Sequence, residues 1–226
     1  MYRTWYTPLV TGKPKFLASV AVEAQGRQGK RVPAIFFRTE AGGEPVRDWL
    51  KSLPSREDRK RIGEDVKTVE FGWPIGMPVC KPLGDGIYEV RTSLAQHRIA
   101  RVLFYIDKKN QGQASKGAPM KVRKSRSRRN HSGSTFDDFL EEEGIREEVE
   151  AAAIKRVLAW QLKQSMLEQQ KTKQALARQL RTSRSQLDRL LDPRNVSVTL
   201  DTITRAARAL GKRLIIRVAD VKAKRA

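Results

Sequence analysis

Apolar positions along this chain fall into four regimes. Through residues 1–31 they keep no sustained period, and only Phe16–Val22 reads as a strand. From Val32 the pattern sharpens. Ala34–Arg38 is a short apolar strand, and after Gly42-Gly43 the stretch Pro45–Ser52 reads as a helix carrying Val46, Trp49 and Leu50. Pro54 opens a second helix, Arg56–Phe71, with Ile62, Val66 and Val69 at helical spacing; Gly72 ends it and Pro74 follows. Three strands come next, Val79–Pro82, Ile87–Ser93 and His97–Ile106, punctuated by Gly84-Asp85-Gly86 and Ser93–Gln96. Tyr88, Val90, Ile99, Val102 and Phe104 give them β-branched and aromatic content. The expectation is an antiparallel sheet covered on one face by two helices.

Residues 107–134 break this order. Gly, Ser, Gln, Lys and Arg dominate, and too little apolar surface is present to offset the entropy of ordering them. After it the period is helical. Ser134 is read as the cap of an acidic helix with Asp137 in the capping-box position, and Gly144 ends it. From Arg146 to Gln170, Ile154, Val157, Leu158, Leu162 and Met166 share one apolar face. Two short helices fill Thr172–Leu191. Ala175, Leu176 and Leu180 mark the buried side of the first, and Leu187, Leu190 and Leu191 that of the second. Thr172 and Ser183 stand at their N-caps. A further helix spans Asp201–Leu210 with Leu200 and Ile203 inward and Gly211 as its stop, and Lys212–Val218 reads as a strand.

Charge adds to this pattern. Lys and Arg total 46 against 25 Asp and Glu, a net of +21, which points to a polyanionic partner. Residues 107–134 are the extreme, with nine basic residues against Asp107 alone. The run Lys121–Arg129 reads as a solvated linker or as a nucleic-acid-binding arm, and the two are compatible because counterion release needs no folded structure. One cysteine, Cys80, excludes an internal disulfide framework and suits a reducing cytoplasm. With only His97 and His131 beside it, no zinc set is expected, and no cofactor is implied. No apolar run reaches 18 residues and no secretion signal is visible, so the expected location is cytoplasmic, with no membrane partner.

The words EPVRDWLKSLP, IGEDVKTVEFGWPIGMP and LGDGIYEVRTSLAQHRIARVLFYI, in that order of elements, resemble the phage-derived branch of the HigB/RelE toxins over roughly residues 33–109. The resemblance implies a ribosome-dependent mRNA endonuclease, in which cations offset charge on a pentavalent phosphate. Arg91 and Arg98 then match the family's arginines, with Lys81 as a third catalytic candidate and His97 beside them able to titrate near neutrality. Pro82 stands where the family has a second basic residue, and the sheet lacks the family's last strand. From pattern alone, arginines on a half-exposed strand also fit a solvated face.

The stretch TKQALARQLRTSRSQLDRLL is similar to the helix-turn-helix of Cro/repressor-type regulators, specifically the antitoxin partners of those toxins. Ser183, Arg184, Ser185, Gln186 and Arg189 inherit the base-reading role in a major groove, and Thr172 and Lys173 the backbone-phosphate role. One position departs. Arg181 replaces the usual turn glycine and must either adopt positive φ or avoid it, at a cost of about 1 kcal/mol or more.

Together these readings give an α+β chain. Residues 1–31 are an undefined extension, 32–109 a toxin domain truncated at its end, 110–134 a basic linker, and 135–226 a helix-turn-helix domain with a terminal strand. The expected function is a toxin–antitoxin fusion that binds operator DNA as an autorepressor. Its N-terminal half would be an impaired mRNA interferase, or an active one inhibited in cis by the acidic segment Asp137–Glu150. The expected partners are double-stranded DNA, ribosome and mRNA, and a second copy of the chain through the Lys212–Val218 edge.

Overall fold

The computed structural model describes residues 2–3, 20–22, 32–106, 131–195 and 197–216. The chain divides into two compact units, one reaching to Arg146 and the other beginning at Glu147. Most of the 1–31 extension, Lys121–Arg129 and the end of the expected terminal strand lie outside the described residues.

In the first unit, β1 (Tyr2–Arg3), β2 (Val20–Val22) and β3 (Ala34–Phe37) precede α1 (Pro45–Ser52) and α2 (Arg56–Gly72). Then come β4 (Cys80–Gly84), β5 (Ile87–Ser93) and β6 (Ile99–Tyr105), and after the basic stretch β7 (Ser132–Thr135) and α3 (Phe136–Glu142). Pro45 starts α1 because its fixed φ suits the first turn, and the Ser55 hydroxyl caps α2 by accepting from the Asp58 N–H at 3.2 Å.

The strands form two antiparallel sheets rather than one, ordered β1-β2-β3-β7 and β4-β5-β6. β3 therefore does not join the hairpin strands. Its free side is taken by β7, with Ile35 opposite Thr135 and Phe37 opposite Ser132. The residues after the basic stretch thus belong to the first unit, where the sequence pattern assigned them to the second. Phe36, fully buried, explains why: its ring lies 5.7 Å from Phe136 and 6.0 Å, edge-on, from Phe139. The cap of α3 also moves by one residue, from Ser134 to Thr135, whose hydroxyl and Asp138 form a reciprocal capping box. Starting there places Phe136, Phe139 and Leu140 on one buried face, and leaves Ser134 free to bond Glu44.

The second unit is helical: α4 (Arg146–Glu168), α5 (Lys173–Gln179), α6 (Arg184–Leu191) and α7 (Leu200–Ala209). Thr172, Ser183 and Thr199 cap the last three, each hydroxyl accepting an N–H at 3.1–3.3 Å. One cluster of Leu162, Met166, Leu176, Leu180, Leu187 and Ile203, among others, joins all four helices. The helix C-termini are closed by side chains from elsewhere in the unit. Lys155 donates to the Leu190 and Asp192 carbonyls at 2.8 and 2.9 Å, Lys171 to Ala209 at 2.8 Å, and Arg205 to Leu180. Lys155 therefore occupies a buried position beside Ile154, which is left half exposed in spite of its apolar side chain. Ala175 and Leu200, expected inward, are also exposed; each sits in the first turn of a short helix, whose buried face starts at Leu176 and Ile203 respectively. Lys212–Ile216 has no ladder partner among the described residues, and Ile215 and Ile216 are exposed.

Candidate nucleic-acid interfaces

The three-stranded sheet has a core face and a second face that is only partly exposed. Side chains alternate along a strand, so the register decides which residues share a face. Val90 faces Cys80 and Val102, and Tyr88 faces Phe104, on the side packed toward α2. On the opposite side Lys81 pairs with Glu89, and Arg91 sits directly across from Arg101. Three cations thus share one surface, and one of them was missed from sequence. The text HRIAR offers two arginines; only the pairing register shows that Arg101, not Arg98, stands beside Arg91.

Arg98 goes elsewhere. It lies in the turn before β6, where its Nη2 is 2.7 Å from the Oδ2 of Asp58, a carboxylate buried at the start of α2. The structure therefore ties it to α2, while Arg101 is the arginine in register with Arg91. His97, at φ +57° in the same turn, is exposed. Arg101 holds Glu89, Nε to Oε1 at 3.3 Å, while Lys81 and Arg91 form no ion pair among the described residues. Like charges directly across a strand pair repel. Glu89, on the same face and paired with Arg101, offsets part of the repulsion between Arg91 and Arg101.

Cys80 lies on the core face. Burial, with the negative charge of Glu89 added, pushes its thiol up to about 12. At neutral pH it is a buried thiol and not a nucleophile. Alkylation by iodoacetamide is expected to proceed only at the rate of unfolding; a labelling rate near that of a free thiol would contradict this placement.

In the second unit the tight turn between α5 and α6 forms as the spacing requires. Arg181 adopts φ +52°, and the Thr182 N–H reaches back to the Ala177 carbonyl at 3.0 Å. Ala177, small and buried, lies at the close approach of the two helices. Leu187, Leu190 and Leu191 point inward, which turns Arg184, Ser185, Gln186 and Arg189 outward, all four exposed. Ser183, capping the helix, also lies 2.9 Å from the Ser185 hydroxyl, and the Thr182 hydroxyl donates to Gln186. Thr172 and Lys173 open α5 on the surface, and Lys173 Nζ is 2.6 Å from Asp188 Oδ1. That hydrogen bond holds the Asp188 carboxyl below its usual range. Asp188 is the second residue missed from sequence: its acid sits among the basic residues of α6 and occupies Lys173.

Among the described residues no group of His, Cys, Asp or Glu is placed to hold a metal ion. None of the described helices is long and apolar enough to cross a membrane.

The sheet that carries Lys81, Arg91 and Arg101 falls in a stretch similar to a phage-derived family of toxin type, RelE/HigB-like. Residues 48–113 match the family model described as phage derived protein Gp49-like. The match takes in the latter part of α1, all of α2 and β4–β6, and stops before β7 and α3. No curated protein and no solved structure matches the chain.

Proposed function

We propose that the chain is a toxin–antitoxin fusion whose second unit binds operator DNA as an autorepressor. The observation that carries this reading is α6 itself. A serine-capped helix, held by three buried leucines, presents Arg184, Ser185 and Gln186 and, one turn on, Arg189 to solvent. Arg and Gln are the side chains that bond guanine and adenine edges bidentately in a major groove. The alternative, an ordinary helical hairpin with a solvated face, shares the core but gives no reason for this composition beside a net charge of +21. Arg184→Ala and Gln186→Ala are each expected to cost about 1–3 kcal/mol at the base contacted and to relax sequence choice there. Lys173→Ala should weaken binding to every sequence alike. Gel-shift titrations on the DNA upstream of the gene check this, and unchanged affinity in all three variants would overturn the assignment. A homodimer through the unpaired Lys212–Ile216 edge belongs to the same reading, since paired half-sites need two copies.

The first unit supports a second activity. Lys81, Arg91 and Arg101 on one sheet face suit an RNA phosphate, and their place in a toxin-type domain favours mRNA as the substrate. Because Phe136, Phe139 and Leu140 close the core of this unit, the fragment to express is 1–146. Its expression is expected to arrest growth, with Arg91→Ala and Arg101→Ala each relieving the arrest. Growth unaffected by the unaltered fragment, present at normal level in soluble form, would leave the DNA-binding role standing alone.

A further inference from the structure

We propose that β3, α1 and α2 form a receptor surface for an acidic strand–helix segment, which this chain fills with its own residues 131–146 and which accepts the same segment from a separate polypeptide. The matched toxin-type stretch ends at residue 113, so the piece that completes the core lies outside it. Among the described residues, the ring contacts, strand pairing and ion pairs that hold that piece join it to residues far upstream, across the basic stretch.

The contacts have the anatomy of an interface, an apolar centre with a polar rim. At the centre Phe36 receives Phe136 and Phe139, which themselves lie 5.8 Å apart, all three almost wholly buried. The strand pairs along the edge of β3, where the Arg38 N–H donates to the His131 carbonyl at 2.8 Å and His131 stacks on Phe37 at 5.1 Å. Glu44 grips Ser134 twice, accepting from its N–H and its hydroxyl at 2.6 Å. The fit requires Gly133. A Cβ there would stand 2.7 Å from the Phe36 carbonyl and run into the Glu44 carboxylate.

Charge on the two sides is complementary. Lys51 reaches Glu142 at 2.9 Å and Arg59 reaches Glu143 at 2.7 Å, with Arg47 also on Glu142 and buried Lys67 on Asp137. Lys81, Arg91 and Arg101 have no part in these pairs, so the acidic segment does not act by covering the sheet's cations. An added edge strand followed by a helix laid on its apolar face is the way peptides are captured by preformed domains.

The test uses the full chain with a specific protease site inserted between Lys116 and Gly117. After cleavage the two pieces are expected to co-elute on gel filtration at micromolar concentration. A synthetic peptide of residues 131–146, in 100-fold excess, is then expected to release the C-terminal piece. The same peptide carrying Asp137→Lys and Phe139→Ala should compete at least tenfold more weakly. Pieces that separate on cutting, a wild-type peptide that releases nothing, or two peptides that compete equally would each overturn the proposal.

Discussion

Replacing Phe139 with alanine is expected to destabilise the first unit by about 3–5 kcal/mol, the range for deleting a fully buried aromatic side chain. Its ring is wholly buried against Phe36 of β3 and Phe136 of its own helix. The loss should register as a lower urea midpoint with an unchanged slope, followed in the full chain through tryptophan fluorescence. All of Phe136, Phe139 and Leu140 lie C-terminal to the basic stretch, so a loss below 1 kcal/mol would mean that this segment is not part of the first core. Leu83, exposed on β4, is the control: its replacement by alanine should cost well under 1 kcal/mol.

The second large effect falls on Lys67. Its ammonium is fully buried in α2, 2.7 Å from Glu70 and paired also with Asp137, while Glu70 accepts from the Ala34 N–H. Burial alone would lower its pKa, but the two carboxylates outweigh burial and hold it above the usual lysine range. Lys67→Met removes the cation and strands the carboxylates, which by analogy with other broken buried pairs costs about 3–5 kcal/mol. Lys67→Met combined with Glu70→Gln and Asp137→Asn should recover much of that loss, because no uncompensated charge remains. The sign with pH follows from the raised value. The stabilisation is complete below the unfolded lysine pKa, about 10.4, and fades as pH rises through the higher folded value. Denaturation midpoints that fall between pH 10 and 12 in the native chain, but stay flat over that limb in the triple variant, would bear this out. An equal fall in both would assign the alkaline loss to other groups.

Much of this architecture was legible in local pattern. Pro45–Ser52 and Ile87–Ser93 have the bounds their spacing predicts, because a proline start and an alternating run between turn signals are each decided within a few residues. The turn at Arg181 was equally local, strain included. What local pattern could not supply was pairing. The register that puts Arg101 opposite Arg91, and turns Arg98 toward Asp58, depends on how the β5–β6 turn closes. The joining of β3 to β7 depends on Phe36 meeting rings a hundred residues away, and an acidic helix capped by a hydroxyl after a basic stretch looks like the start of something new. Lys155 illustrates the same limit in the second unit: a lysine beside an isoleucine reads as solvent-facing until its Nζ is seen bonding two helix-end carbonyls.

The late position of α3 has a consequence during synthesis. A growing chain that has emerged through β6 holds every strand and helix of the toxin-type stretch, yet its phenylalanine bed stays open and Lys67 lacks one of its two counter-ions. Ribosomes add about 5–20 residues per second, so the 40 positions from Ile106 to Arg146 impose a wait of roughly 2–8 s before that half can close. A message broken or stopped within the interval yields a half-built product, its apolar bed still open to water and fit for degradation.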